Sequence, residues 1–226
     1  MQLSTVEAAW RLGVSDRQVR RLVQRGELPA SRIAGRLVLD SVDVDRRVAR
    51  TPDRGRPFAP RTAWGALWEI SGERVSWLHS SEGSRLRRWL RHATPETLAL
   101  ATRERAIVER YRVLPRYLDE LAGSTGVIRG GVSAADEVSA DIVSIGAAEL
   151  YCSEQTRRRL VADYGLTESR EPNVIIRVPL VEFSLLDHGR TAMPAGVIAI
   201  DLLDADDIRT RRAGQQIAEQ LLRSMP

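Results

Sequence analysis

The sequence predicts an α+β protein of two domains, a small N-terminal domain and a larger mixed α/β domain with a helical front section. Three observations predict this architecture. The first 50 residues combine helical apolar spacing with a hairpin signal, a segment rich in proline and glycine follows at 51–60, and helical patterns later give way to alternating apolar runs. We therefore expect domains at 1–50 and 61–226, joined by a linker at 51–60.

The first predicted helix starts at Ser4 and ends at Gly13. Ser4 and Glu7 have the S-x-x-E spacing of a capping box, which satisfies the free N–H groups of a first helical turn. The residues expected to face inward are Val6, Ala9, Trp10 and Leu12.

The second predicted helix covers SDRQVRRLVQR, with Ser15 as its cap and Gly26 just beyond its end. Val19, Leu22 and Val23 fall at i, i+3 and i+4, so one face of this helix is expected to be buried. The residues left on its exposed side are Arg17, Gln18, Arg20, Arg21, Gln24 and Arg25.

A β-hairpin is predicted after the second helix. Apolar and polar residues alternate on either side of Ala34 and Gly35, which indicates a tight turn between two short strands. Arg32 and Arg36 lie on these strands, and a third helix is expected from Ser41.

Positive charge is concentrated in the first domain. Residues 1–56 hold twelve arginines and seven acidic residues, whereas the rest of the chain is close to neutral and the total formal charge is +4. A basic segment joined to a near-neutral body is typical of a nucleic-acid reader attached to a domain with another role.

The exposed side of the second helix has the chemistry of a DNA-recognition helix. Arginine can form paired hydrogen bonds to guanine in the major groove, glutamine can do so to adenine, and flanking arginines neutralise phosphates. Arg32 and Arg36 are expected to reach the DNA backbone or the adjacent minor groove. Double-stranded DNA is therefore the predicted partner.

A helix-turn-helix needs a small residue where its helices cross, a turn residue that tolerates positive φ, and an apolar residue that closes its core. Ala9, Gly13 and Val19 supply these. Around them, residues 3–48 resemble the excisionase and MerR-type winged helix-turn-helix family, including the GELP link between recognition helix and wing. The resemblance implies binding to operator DNA. Arg20 departs from relatives, which often carry an aromatic residue there.

The larger domain opens with helices predicted at 61–71, 81–93 and 95–102, the last capped by Thr94. Strands predicted at 106–113, 126–130, 147–153 and 173–180 then alternate with helices at 115–122, 133–140 and 153–164. Residues 194–204 suit a strand or a helix. A helix is favoured because the last predicted helix, from Asp207, can pack beside it.

Several stretches of this domain, including RTAWGALWEISG, SRLRRWLRHA and NVIIRVPL, resemble the C-terminal domain of AbiEi-type antitoxins. These are the regulators of type IV toxin–antitoxin operons. The resemblance implies an antitoxin that represses its own operon and opposes a nucleotidyltransferase-like toxin without stable contact.

The helix SRLRRWLRHA has an apolar side and a basic side. It is either a second DNA-contacting surface or a core-packed helix with a solvated basic face. The basic residues in question are Arg85, Arg87, Arg88 and Arg91.

We expect no enzyme activity, metal site or cofactor. Gly130 and Gly131 lack the lysine of a phosphate-binding loop and indicate a turn capped by Ser133. Aspartates 201, 204, 206 and 207 lack EF-hand spacing, and one of the last two is expected to cap the final helix. Cys152 is expected to be a buried inert thiol and His188 a surface residue.

Three functions remain open at this point: an autoregulating repressor of the antitoxin type, an excisionase-like DNA-bending factor whose C-terminal domain recruits a protein, and a ligand-sensing regulator. A single cysteine excludes an internal disulfide. The sequence has no apolar run of about 20 residues and no signal peptide, so we expect a cytoplasmic protein without a membrane partner.

Overall fold

The computed structural model describes residues 2–12, 16–24, 28–33, 35–44, 57–140, 142, 146–187 and 189–225. The chain divides into two compact units, Met1–Gly55 and Arg56–Pro226, called unit 1 and unit 2 below. Helices and two separate sheets occur together, which confirms the α+β class. In the described part of the chain, no helix is long and apolar enough to cross a membrane.

Unit 1 contains two helices and a three-stranded sheet. Its elements are β1 (Gln2–Ser4), α1 (Thr5–Leu12), α2 (Asp16–Gln24), β2 (Ser31–Ile33) and β3 (Arg36–Asp40), followed by a helical turn at 41–44. The predicted hairpin is present, because β2 pairs antiparallel with β3 around Gly35, whose φ is 80°. The sequence did not predict β1, which pairs antiparallel with the other edge of β3.

The capping box of α1 is confirmed, whereas its inward stripe is partly wrong. Ser4 N donates to Glu7 Oε2 at 2.7 Å, and Glu7 N donates to Ser4 Oγ at 3.2 Å. This cap starts the helix at Thr5, so Thr5, Ala8 and Ala9 face the core. Val6 is 66% exposed as a result, and Ala8 is fully buried.

Several predicted features lie outside the described residues. They are the end of the first helix at Gly13, the caps Ser15 and Gly26, and most of the linker, residues 51–56. Residues 57–60 of the predicted linker belong to unit 2. There Phe58 packs edge-to-face on Trp89 with ring centroids 4.8 Å apart, and Pro60 is the first residue of a helix.

Unit 2 opens with the three predicted helices, α3 (Pro60–Ile70), α4 (Ser80–Leu90) and α5 (Pro95–Thr102). The cap of α5 is confirmed, since Thr97 N donates to Thr94 Oγ1 at 3.3 Å. The front section is therefore helical, as the sequence predicted.

A five-stranded mixed sheet follows. Its strands are β4 (Ala106–Arg112), β5 (Val127–Arg129), β6 (Ala148–Cys152), β7 (Thr167–Glu168) and β8 (Val174–Pro179), in the order β5-β6-β8-β4-β7. All neighbouring pairs are antiparallel except β6 and β8. Between the strands lie 3₁₀ turns at Pro115–Tyr117 and Gly131–Val138 and the helices α6 (Leu118–Ala122) and α7 (Glu154–Tyr164).

Helices cover both faces of this sheet. Leu150 and Ile176 pack with α6 and α7 on one face, while Tyr151 packs with Trp64 and Ile198 on the other. The second group belongs to the core formed with α3, α4, α9 (Ala195–Leu203) and α10 (Ile208–Arg223). A short helix, α8 (Ser184–Asp187), precedes α9.

The two last helices match the favoured interpretation of the sequence. Residues 195–203 form a helix that packs on α10. Asp207 caps α10, because its carboxylate accepts a hydrogen bond from Thr210 N at 2.7 Å. The predicted cap Ser133 is wrong: it lies inside the 3₁₀ turn that starts at Gly131, and its hydroxyl accepts a hydrogen bond from Glu149 N at 2.9 Å.

Candidate nucleic-acid interface

Helix α2 has one buried side and one exposed side. Val19 is fully buried and Leu22 is 7% exposed, and both pack against residues of α1 in the core of unit 1. Arg17 and Arg21 are exposed and lie four residues apart, on one face of the helix. Neither arginine forms a hydrogen bond or ion pair within the described residues. Among the described residues, nothing therefore occupies either guanidinium group.

Arg20 has a different environment from its neighbours. Its Nε donates to Asp16 Oδ2 at 2.8 Å, and its Nη2 donates to Thr5 Oγ1 at 3.3 Å. The bond from Arg20 holds the pKa of the Asp16 carboxyl below its ordinary value, and the bond to Thr5 joins α2 to the first residue of α1. Arg20 is predicted to contact DNA, and in the structure its guanidinium bridges α2 and α1.

For the other predicted contact residues, the structure gives the position of the backbone. Gln18 and Gln24 lie within α2, and Arg25 lies outside the described residues. Arg32 is opposite Leu37 in the hairpin, and Arg36 is opposite Ile33.

The basic helix of unit 2 is α4, and its four predicted residues are not equivalent. Leu86 and Leu90 are buried, so the predicted apolar side is confirmed. Arg87 Nη1 donates to Glu69 Oε1 of α3 at 2.9 Å. Arg85 and Arg88 are exposed and form no ion pair within the described residues. Arg91, at the C-cap, is exposed but engaged in a contact.

A buried ionic cluster in unit 2 was not predicted. Asp201 of α9 accepts hydrogen bonds from Arg105 Nη2 at 2.6 Å and Tyr151 OH at 2.8 Å. Arg177 Nη1 donates to Glu149 Oε2 at 2.6 Å, and its Nε lies 3.4 Å from the carboxylate of Asp201. Burial raises the pKa of Glu149 and of Tyr151. The signal in the sequence was a charged residue inside each of the strand patterns AAELYCS and NVIIRVPL.

The residues considered as candidates for catalysis or metal binding are the glycine pair 130–131, the aspartates near 201, Cys152 and His188. Gly131 N donates to Asp201 Oδ2 at 3.2 Å, and a Cβ at Gly130 would lie 2.6 Å from the Tyr151 ring, so the glycine pair permits close packing. Within the described ranges, no cluster of three His, Cys, Asp or Glu side chains is arranged to hold a metal ion. Cys152 is buried, and burial raises the pKa of its thiol to about 12. His188 lies outside the described residues.

Unit 1 is a small domain of two helices and a three-stranded sheet, and its second helix carries exposed arginines, an arrangement suited to DNA. Residues 3–52 match the family model described as a helix-turn-helix domain. The N-terminal unit is therefore a helix-turn-helix domain, which indicates DNA binding. No curated protein and no solved structure matches the chain.

Proposed function

We propose that the protein is a sequence-specific transcriptional repressor that recognises its operator through α2. The observation that carries this proposal is the division of α2 into a buried side at Val19 and Leu22 and an exposed side at Arg17 and Arg21. Arginines presented on one helix face can read guanine edges and bind phosphates in the major groove. The β2–β3 hairpin would then act as the wing, with Arg32 and Arg36 contacting the DNA backbone.

We infer further that this repressor is the autoregulating antitoxin of an AbiEi-like type IV toxin–antitoxin operon. The support is the resemblance of the segments from α3 to α10 to the C-terminal domain of such antitoxins. The excess of arginine in residues 1–56 over a near-neutral remainder is consistent with one DNA-reading unit and one regulatory unit. Unit 2 is proposed to regulate rather than to catalyse a reaction.

Operator binding is tested with the full chain and DNA from upstream of its own gene, by footprinting and fluorescence anisotropy at fixed salt. Arg17→Ala and Arg21→Ala should each weaken specific binding by about 1–3 kcal/mol, because each removes a base or close phosphate contact. Arg212→Ala, which removes an exposed arginine of α10, is the matched control and should bind as the parent does.

Equal affinity of all four proteins for the operator, with unchanged circular dichroism, would refute the assignment of α2. The antitoxin role has a separate test. Co-expression should restore growth to cells that produce the nucleotidyltransferase-like toxin of the same operon. Operator binding without growth rescue would refute the antitoxin role and leave the repressor.

A further inference from the structure

A cleft of about 400 Å³ in unit 2 lies beside the buried ionic cluster, and its volume is typical of sites for small ligands. Its floor is the part of the sheet where Val108 of β4 lies opposite Arg177 of β8. One wall is the segment 204–206, between α9 and α10. Four arginines and four acidic residues line the cleft, so it suits a polar molecule that carries charges of both signs.

Half of these charges neutralise each other inside the buried cluster. Arg177 is paired with Glu149, and Arg105 is paired with Asp201, each at 2.6 Å. Both pairs are almost completely buried, so their charges are compensated within the protein. A ligand would therefore be recognised by the four remaining charged residues and by any group of the cluster that lacks a partner.

The four remaining side chains belong to Arg103, Arg110, Asp204 and Asp206. Within the described residues, Arg103, Arg110 and Asp206 form no ion pair. Asp204 has only a distant partner, since its carboxylate is 3.7 Å from Arg105. The cleft thus offers two cations and two carboxylates to a ligand.

Arg105 adds a donor without an acceptor. Its side chain is 5% exposed, and its Nε has no hydrogen-bond partner in the described part of the chain. The other two nitrogens are engaged, because Nη1 donates to Thr102 O at 3.2 Å and Nη2 donates to Asp201 at 2.6 Å. A buried N–H group without an acceptor costs free energy. In a residue that lines a cleft, it indicates an acceptor supplied from outside the chain.

The groups without a close partner lie at two ends of the cleft. Arg103 and Arg105 precede β4, and Arg105 lies beside Asp204, so donors and carboxylates occur together at this end. Arg110 lies toward the other end of β4, and Val108, which is 41% exposed, is between them on the strand. A matching ligand has an ammonium group and a carboxylate on one carbon atom, and a second carboxylate beyond a short apolar chain.

We propose that this cleft binds an acidic amino acid, glutamate or aspartate. The α-carboxylate accepts hydrogen bonds from Arg105 Nε and Arg103. The ammonium group donates to Asp204 and Asp206, and the side-chain carboxylate accepts from Arg110. Such hydrogen bonds between charged groups are stronger than neutral ones. The site lies within unit 2, so this inference goes beyond the proposed function and does not rest on it.

Isothermal titration calorimetry of the full chain without DNA tests the site, with glutamate, glutarate, γ-aminobutyrate and glutamine as probes. Glutarate lacks the ammonium group, γ-aminobutyrate lacks the α-carboxylate, and glutamine lacks the charge of the second carboxylate. Glutamate should bind most tightly. Each of the other probes should have a dissociation constant at least about tenfold higher, because each loses an interaction between charged groups.

Two substitutions outside the buried cluster assign the ends of the ligand. Arg110→Gln should raise the dissociation constant of glutamate at least about tenfold and that of glutamine much less, since glutamine brings no charge to Arg110. Asp206→Asn should weaken glutamate binding in the same way but should not weaken glutarate binding. The matched controls are Arg212→Gln and Asp163→Asn, because both side chains are exposed and lie outside the cleft. Both controls should bind glutamate as the parent does.

A parent protein that binds neither glutamate nor aspartate would overturn the proposal. Glutarate that binds as tightly as glutamate would also overturn it, as would an Arg110→Gln variant that loses affinity for glutamate and glutamine equally. Circular dichroism of each variant should match that of the parent. A chain that binds operator DNA but no amino acid would refute this site alone, and one that binds glutamate but no DNA would refute the proposed function alone.

Discussion

Replacing Asp201 by asparagine should destabilise unit 2 by about 3 kcal/mol. The side chain of Asp201 is fully buried, and its partner Arg105 is only 5% exposed. Breaking a buried ion pair by removing one charge costs about 3–5 kcal/mol, because the other charge stays buried without compensation. We expect the lower end of this range, since asparagine keeps an oxygen that can accept the hydrogen bond of Tyr151.

Equilibrium unfolding in urea measures this loss. Four of the five tryptophans lie in unit 2, so their fluorescence reports mainly on that unit. With a slope of about 2 kcal/mol per molar urea, the midpoint should fall by about 1.5 M. Asp204→Asn is the matched control on the same helical segment, because Asp204 is 49% exposed and 3.7 Å from Arg105. Its effect should stay below about 1 kcal/mol. Equal midpoints for the two variants would refute the assigned role of the buried cluster.

Two further predictions concern a thiol and a helix surface. Cys152 should not react with a thiol reagent at about pH 8 in the native protein but should react fully in denaturant, since only the thiolate reacts; rapid native labelling would contradict its burial. Replacing Arg85 and Arg88 together by glutamine should lower the slope of log affinity against log salt by up to about 1.8 if α4 contacts phosphates. Arg87→Gln is the control and should change the slope less, because Arg87 is paired with Glu69. Equal slopes for the parent and all variants would show that the basic side of α4 faces solvent and does not contact DNA.

Local signals in the sequence were sufficient to predict most of the helices and the hairpin. The capping box at Ser4 and Glu7, the spacing of Val19 and Leu22, and the turn at Gly35 each depend on residues close together in the chain. Such features are specified by short-range backbone chemistry, so they can be predicted without knowledge of the tertiary fold.

Long-range features were missed for the converse reason. Strand β1 has three residues and forms only through pairing with residues 38–40, which no local pattern reveals. Arg177 and Glu149 were predicted only as strand residues, and their pairing brings together positions 28 residues apart. The bond from Arg20 to Thr5 likewise depends on how α1 and α2 cross. Of the predicted interface, the sequence identified Arg17 and Arg21 correctly as exposed residues but gave no sign of the bond that joins Arg20 to Thr5.

The position of Asp201 along the chain has a consequence for synthesis. Its partners Arg105, Tyr151 and Arg177 all precede it, at separations of up to 96 residues. On the ribosome, these side chains emerge before the carboxylate that accepts their hydrogen bonds or balances their charge, and domains generally fold as units. Unit 2 should therefore acquire its native core only after α9 has left the exit tunnel. Nascent chains that end before residue 201 should remain sensitive to protease.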